Sequence, residues 1–190
     1  MNILAIDPGT KSCGLAYFLD GQLVETASVK IDSKDPEVRI LYIVDFIQKI
    51  LSPEINITEV VCEDPLLQGR NNNTMQRFLG ALNYALPSIP FNYIAPMTLK
   101  AYYGMAKEDK LSLANSLLSC CSPSEKSLIN EAIQLEAYDE TDAAALGIMY
   151  LESKGVRRGN NVNRPVCNKT KDKSKEEKKT KQRRKKGSSS

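Results

Sequence analysis

The sequence predicts an α/β protein built on a mixed five-stranded sheet with helices on both faces. Three apolar runs near the start are joined by short turns, and two later apolar runs each follow a helical pattern. Strands joined by short turns pair antiparallel, whereas strands separated by a helix pair parallel, so one sheet should contain both directions. From Pro96 onward the apolar residues recur at helical spacing, which predicts that the folded part of the chain ends in helices.

The first three strands are predicted at Ile3–Asp7, residues 14–19 and residues 22–31. All three runs are dominated by apolar and β-branched residues. Asp20-Gly21, between the second and third runs, is typical of a two-residue hairpin turn. Residues 7–10 read Asp-Pro-Gly-Thr, which also favours a turn. These three strands should therefore pair antiparallel in chain order.

Helices and strands alternate after these hairpins. Pro36 is a favourable first residue for a helix, and the residues after it carry an apolar stripe at helical spacing. In chain order the remaining predicted elements are a helix from Pro36 to Leu51, a strand over 58–63, a loop over 70–73, a helix over 74–86, a strand over Phe91–Ile94, and helices from Pro96 with breaks near Gly104 and at Ser122-Pro123, the last over 138–151.

Charge divides the chain into two parts. Residues 1–150 hold 11 Lys and Arg against 19 Asp and Glu, a net charge of −8. Residues 151–190 hold 15 Lys and Arg against 4 Asp and Glu, a net charge of +11. From about Lys154 the chain has almost no large apolar residues, so it cannot bury enough surface to offset its ordering entropy. We predict a folded domain over 1–152 and a basic, disordered tail over 153–190. The tail is interpreted as an electrostatic arm for nucleic acid, with a solubilising or localising tail as the alternative.

Composition narrows the possible chemistry. The chain contains no histidine, which excludes Ser-His-Asp and Cys-His catalysis and histidine-ligated zinc. Its five cysteines form no CxxC pair, and an odd number without a secretory signal predicts reduced thiols in the cytoplasm, or in the host cytoplasm of a phage or virus. The apolar runs are shorter than a membrane span, so we expect no membrane partner. Any catalysis must use carboxylates, lysines, hydroxyls, thiols or a hard metal ion.

Acidic residues stand where two predicted strands end and where the last helix begins. Asp7 ends the first strand and Glu63 the fourth, while Asp139 and Asp142 open the last helix three residues apart, on one face. The carboxyl ends of parallel strands meet at one sheet edge, where open α/β folds place their sites. Each acid alone also has a structural explanation, as a turn residue, a loop acid or a helix cap.

Four carboxylates brought together repel one another unless they are protonated or neutralised by cations. Without histidine or a cysteine cluster, the expected partner is a hard ion that prefers oxygen ligands, Mg²⁺ with Mn²⁺ as a substitute. Two such ions held by carboxylates are well suited to in-line attack on a phosphodiester. The acids therefore predict a site for two ions and a nuclease reaction.

Three motifs match one family of nucleases. DPGTKSCGLA at residues 7–16, VVCE at 60–63 and DETDAAAL at 139–146 resemble the three acidic motifs of the RuvC-type Holliday-junction resolvases. The resemblance covers about residues 1–152. It implies an RNase H-like fold, a homodimer, Mg²⁺ dependence and paired nicks in four-way or other branched DNA, in recombination, repair or phage and viral DNA processing. By position it implies catalytic, metal-binding roles for Asp7, Glu63, Asp139 and Asp142.

Basic residues near the acids also match the family. Lys100 and Lys110 stand on either side of Gly104, as two lysines do in the resolvases, and a lysine beside a carboxylate–metal site can hold a phosphate. The alternative is a solvated helix lysine, which we favour for Lys107. Thr10 and Lys11, in the turn after Asp7, are further candidates for phosphate contact.

The stretch after Glu63 departs from the family pattern. Resolvases often carry an aromatic side chain there that wedges into the opened junction, whereas this chain has Leu66 and Leu67. A leucine can separate base pairs, but it does not stack on them. Leu66 is therefore the candidate wedge. Arg70 could contact the DNA backbone or bases, and a plain polar loop is the alternative.

Three other functions remain open. An RNase H-like nuclease that acts on RNA would share the first acid. Actin-like ATPases and sugar kinases share the Asp-x-Gly-Thr turn, but they need two such domains and do not explain Asp139 and Asp142. A non-catalytic DNA-binding protein would not need the complete set of acids.

Overall fold

The computed structural model describes residues 1–51, 56–64, 73–104 and 110–157, which form five strands and six helices. The strands are β1 (Ile3–Asp7), β2 (Ser12–Leu19), β3 (Gln22–Lys30), β4 (Glu59–Glu63) and β5 (Phe91–Ile94). The helices are α1 (Pro36–Ile50), α2 (Asn73–Ala85), α3 (Pro96–Tyr102), α4 (Lys110–Leu118), α5 (Pro123–Gln134) and α6 (Tyr138–Ser153).

The five strands form one sheet in the order β3-β2-β1-β4-β5. β1 pairs antiparallel with β2, and β2 with β3, as the short turns between them require. β4 lies parallel to β1 on its other side, and β5 lies parallel to β4. The predicted mixed five-stranded sheet is therefore confirmed.

Most element boundaries agree with the sequence prediction, and the differences are small. β2 begins at Ser12 rather than residue 14, because Ser12 pairs with Lys30 across the hairpin. α2 begins at Asn73, which the sequence places in a loop. The predicted break near Gly104 coincides with a positive φ of 70° at that glycine. Leu66, Arg70, Lys107 and the tail beyond residue 157 lie outside the described residues.

The alternating side chains of β1 serve two separate cores. Ile3 and Ala5 belong to the core beneath α6, whereas Leu4 and Ile6 belong to the core beneath α1 and α2. All four side chains are buried because the central strand is covered on both faces. Helices therefore lie on both faces of the sheet, as predicted. No helix in the described part of the chain is long and apolar enough to span a bilayer.

α6 packs directly on the sheet through small residues. Its three alanines at positions 143–145 are fully buried, and Gly147 lies against Phe18 of β2. A Cβ atom at Gly147 would lie 2.2 Å from the Phe18 ring, so a larger residue would push the helix away. This close packing fixes where the first turn of α6 meets the end of β1.

A buried ion pair holds the last described residue. The Arg157 guanidinium donates to both carboxylate oxygens of Glu125, with 2.7 Å between Nη2 and Oε2, and Nη2 also donates to the carbonyl of Cys120. Arg157 also donates to the carbonyl of Gly21, whose own N–H group bonds to Met1. Arg157 thus lies at the end of the sheet opposite Asp7, and it remains attached to the body beyond the predicted boundary at residue 152.

Candidate active site

Three carboxylates meet at the end of β1. One oxygen each from Asp7, Asp139 and Asp142 lie within 4.8 Å of one another. Asp7 is the last residue of β1, while the other two lie in the first turns of α6, three residues apart on one face. The structure therefore brings together three of the four predicted acids, from opposite ends of the folded chain.

Glu63 lies on the neighbouring strand at the same sheet edge. β4 runs parallel to β1 with Cys62 beside Ile6, so Glu63 follows next to Asp7. Its negative charge contributes to the raised pKa of Asp7. The fourth predicted acid is thus close to Asp7, although within the described residues the tight oxygen cluster comprises Asp7, Asp139 and Asp142.

The Asp7 carboxyl shows how unfavourable the cluster is without a cation. Burial is the largest cause that raises its pKa from 3.8 to about 8, followed by the negative charges of Asp142, Glu63 and Asp139. The positive charge of Lys110 acts in the opposite direction. A divalent cation would offset the repulsion that otherwise favours protonation of Asp7.

The donor set fits a hard ion. Every clustered ligand atom is a carboxylate oxygen, which is the donor that Mg²⁺ and Mn²⁺ prefer. Cys13 and Cys62 lie nearby but are buried, and burial raises the pKa of both thiols, which favours their protonated form. A soft ion that requires thiolate ligands therefore does not fit this site.

Ser12 and Lys110 hold the Asp139 carboxylate. The Ser12 hydroxyl donates to Asp139 Oδ2, and the Lys110 ammonium lies 2.7 Å from Asp139 Oδ1. Burial alone would raise the pKa of Asp139, but these two hydrogen bonds lower it below its ordinary value. Asp139 is therefore kept charged beside an Asp7 that tends to be protonated.

Of the other predicted contact residues, Lys110 makes observed contacts with the acids in the described part of the chain. Lys110, the first residue of α4, also lies 3.5 Å from Asp142 Oδ2. Lys100 lies in the last turn of α3 and is partly buried. Thr10 is partly buried in the turn after Asp7, and Lys11 beside it is exposed.

Two residues that support the site could not be identified from the sequence. Ser12 lies before the predicted start of the second strand, and no local pattern marks it because its partner Asp139 lies 127 positions away. Arg39 is buried in α1 and donates from Nε to the carbonyl of Thr10 at 2.8 Å, and from Nη1 to the carbonyl of Ser33. Arg39 thereby fixes the turn that follows Asp7. The one available signal is a charged residue beside the apolar stripe of α1.

Gly14 allows α6 to approach the end of β1. It lies opposite Asp7 in the β1–β2 register, and a Cβ atom there would lie 1.8 Å from the Asp139 carbonyl oxygen. That contact is with backbone, which cannot rotate away. The absence of a side chain at position 14 therefore sets the distance between Asp7 and Asp139.

Replacing Gly14 by Ala should displace the first turn of α6. We expect the free energy of unfolding to fall by about 1–3 kcal/mol, as for other overpacked sites. The Mg²⁺ affinity measured by calorimetry should fall with it, because Asp139 moves away from Asp7. Gly80→Ala is the control, since a Cβ atom at Gly80 meets nothing within 4 Å. Equal metal affinity in the two variants would contradict this role for Gly14.

Comparison with known proteins identifies the family, although no protein-family model matches the chain. A crossover junction endodeoxyribonuclease RuvC from Wolinella succinogenes is 30% identical over 161 residues, which cover 79% of this chain and 93% of the relative. A protein of the same name from a Sulfurovum species is 30% identical over 167 residues, which cover 83% and 99%. The structure of Thermus thermophilus RuvC in complex with a Holliday junction substrate has the same fold, with a TM-score of 0.59, 19% identity, and coverage of 84% of this chain and 99% of that one. The chain therefore belongs to the RuvC family of crossover junction endodeoxyribonucleases.

Proposed function

We propose that this protein is a metal-dependent endonuclease that resolves Holliday junctions or other branched DNA by paired phosphodiester nicks. The observation that carries the proposal is the cluster of Asp7, Asp139 and Asp142 with Glu63 beside it, at a sheet edge of a RuvC-family fold. Metal-bound carboxylates of this kind suit phosphodiester cleavage. The proposed setting is DNA recombination and repair, or the processing of phage or viral DNA.

Asp7, Glu63, Asp139 and Asp142 are the proposed ligands of two Mg²⁺ ions, for which Mn²⁺ would substitute. Such ions, when bound, activate the attacking water and stabilise the leaving oxygen of the phosphodiester. The protein contributes the positions of the oxygens. Ser12 orients Asp139, and Arg39 holds the turn after Asp7. The close packing at Gly14 sets the spacing between Asp7 and Asp139.

Six residues named from the sequence are the proposed contacts to DNA. Lys100 and Lys110 would hold phosphates near the scissile bond as point charges. Thr10 and Lys11, in the turn directly after Asp7, would contact a neighbouring phosphate. Leu66 as the junction wedge and Arg70 as a backbone or base contact remain proposals from the sequence.

A homodimer is the proposed assembly. Resolution of a four-way junction needs nicks in two opposed strands, and a two-fold axis would present one active site to each. A homodimer is also what the resemblance to the resolvases implies. Analytical ultracentrifugation with and without a four-way junction measures it directly.

We also propose that the basic tail is an electrostatic arm that binds DNA. Residues 158–190 hold 13 Lys and Arg against three Asp and Glu. Arg157, from which they continue, is held at the sheet end opposite Asp7. The tail would supply the DNA-binding positive charge that the acidic body lacks.

Removal of residues 158–190 should weaken junction binding and reduce its salt dependence, since fewer counterions are released. The cleavage rate at saturating protein should not change. A full-length variant with the seven basic residues between 178 and 186 replaced by serine controls for tail length and should show the same direction of change. An unchanged slope of log affinity against log salt in both variants would show that the tail is not a DNA arm.

The substrate class is tested by a panel of labelled nucleic acids. The purified protein is incubated with Mg²⁺ and a four-way junction, the matching linear duplex, or single-stranded RNA. We expect cleavage of the junction with little cleavage of the duplex. Cleavage of the RNA alone would instead favour an RNA-processing nuclease on the same fold.

A further inference from the structure

We propose that Lys110 neutralises the carboxylates of the metal site while no metal is bound. Its ammonium group then forms ion pairs with these carboxylates, and Mg²⁺ displaces it on binding. The inference rests on the proposed function, because it concerns the same carboxylates. It adds a second role for Lys110 beside that of a phosphate contact. It also sets an order of events, in which the metal binds first and the lysine becomes available afterwards.

The contacts of Lys110 place it where a cation is needed. Its Nζ atom lies 2.7 Å from Asp139 Oδ1 and 3.5 Å from Asp142 Oδ2. These acids supply two of the three clustered oxygen ligands. The charge of Lys110 also lowers the pKa of the third acid, Asp7. One ammonium group thus acts on every member of the cluster.

Lys110 and a divalent ion would compete for the same two carboxylates, Asp139 and Asp142. Their positive charges would also repel one another at contact distance. The lysine is the partner that can leave, since its side chain is 55% exposed and carries the ammonium group on a flexible stem. Asp139 has a further hydrogen bond from Ser12, so it stays in place when Lys110 moves.

Displacement would couple metal loading to substrate binding. While Lys110 forms ion pairs with Asp139 and Asp142, the two carboxylates neutralise its positive charge. Once Mg²⁺ takes those oxygens, the ammonium group is free to hold a phosphate at the same site. The metal-free protein would therefore lack one of its phosphate contacts at the cleavage point.

Lys30 offers a matched control. Its positive charge also lowers the pKa of Asp139. Among the described residues, however, Lys110 forms an ion pair with Asp139 within 4 Å and Lys30 does not. Lys30 is exposed and pairs with Ser12 across the β2–β3 hairpin. Lys30→Met therefore removes nearby charge, whereas Lys110→Met removes both the charge and the group that occupies the oxygens.

The test is calorimetric titration of the full chain with Mg²⁺ in the absence of DNA. We expect Lys110→Met and Lys110→Ala to bind Mg²⁺ about tenfold more tightly than the wild type, within the range typical of coupled binding events. Lys30→Met should change the affinity much less. Equal effects at positions 30 and 110, or weaker binding by both Lys110 variants, would overturn the exchange.

The same titration separates this inference from the proposed function. If the wild type and Asp7→Asn bind Mg²⁺ equally, or neither binds it, the metal site itself is wrong. If Asp7→Asn loses binding while Lys110→Met and Lys30→Met behave alike, the metal site stands and the Lys110 exchange fails. Thermal unfolding in EDTA verifies that each variant is folded before it is titrated.

Discussion

Asp7→Asn should abolish junction cleavage while leaving the fold intact. Metal ions supply several kcal/mol of transition-state stabilisation. Loss of the ligand that ends β1 and lies beside the two acids of α6 should therefore slow cleavage by at least about 10³-fold. The same change removes a carboxyl whose pKa is raised to about 8 by burial and by the charges of Asp142, Glu63 and Asp139. The protein without metal should therefore be as stable as the wild type or more stable.

These two effects are measured by single-turnover cleavage in Mg²⁺ and by thermal unfolding in EDTA. Junction binding should persist, because Asp7 itself is not one of the proposed phosphate contacts. Asp32→Asn is the control, since Asp32 is an exposed acid outside the cluster. Retention of wild-type cleavage by Asp7→Asn would remove Asp7 from the catalytic site.

Glu125→Gln should produce the largest loss of stability. Glu125 is fully buried and receives the Arg157 guanidinium together with the backbone N–H groups of Leu23 and Ser122. Removal of one partner from a buried pair leaves the other charge uncompensated, which costs about 3–5 kcal/mol. For a domain of this size the unfolding midpoint should fall by roughly 10 °C. Glu131→Gln, on an exposed position of the same helix, should change little.

The pair also predicts how stability depends on pH. Burial alone would raise the pKa of Glu125, but hydrogen bonds from Arg157 and two backbone groups hold it at about 2, below its ordinary value of 4.5. A group with a lowered pKa stabilises the fold above its unfolded pKa and loses that contribution as the pH falls. The Glu125 contribution should therefore be complete above about pH 5 and disappear between pH 4.5 and 2. Urea unfolding at several pH values should show a shallower acid limb in Glu125→Gln than in the wild type.

Local patterns in the sequence predict most of the fold. β5 is predicted residue for residue, because a short apolar run lies between Pro90 and Pro96. The positions of Asp7 and Glu63 at strand ends follow from the apolar runs before them. The proximity of these acids to Asp139 and Asp142 can be predicted because parallel strand pairing and helical spacing are regular patterns.

Interactions between distant residues could not be predicted in the same way. Ser12 bonds to Asp139 across 127 positions, and Arg157 bonds to Glu125 across 32. Neither pair has a local pattern, because each depends on where α6 and α5 pack on the sheet. Lys110 illustrates the same difficulty, since the sequence predicts a phosphate contact and the structure places its ammonium group on Asp139 and Asp142.

The most direct test of the central claim is cleavage of a four-way junction with each strand labelled in turn, by EDTA-treated protein before and after Mg²⁺ is added. The carboxylate site predicts no cleavage in EDTA and, after Mg²⁺ is added, nicks in two opposed strands at matching positions. Cleavage that persists in EDTA would contradict a metal-dependent mechanism. Mg²⁺-dependent cleavage that falls equally on the linear duplex would contradict resolution of branched DNA.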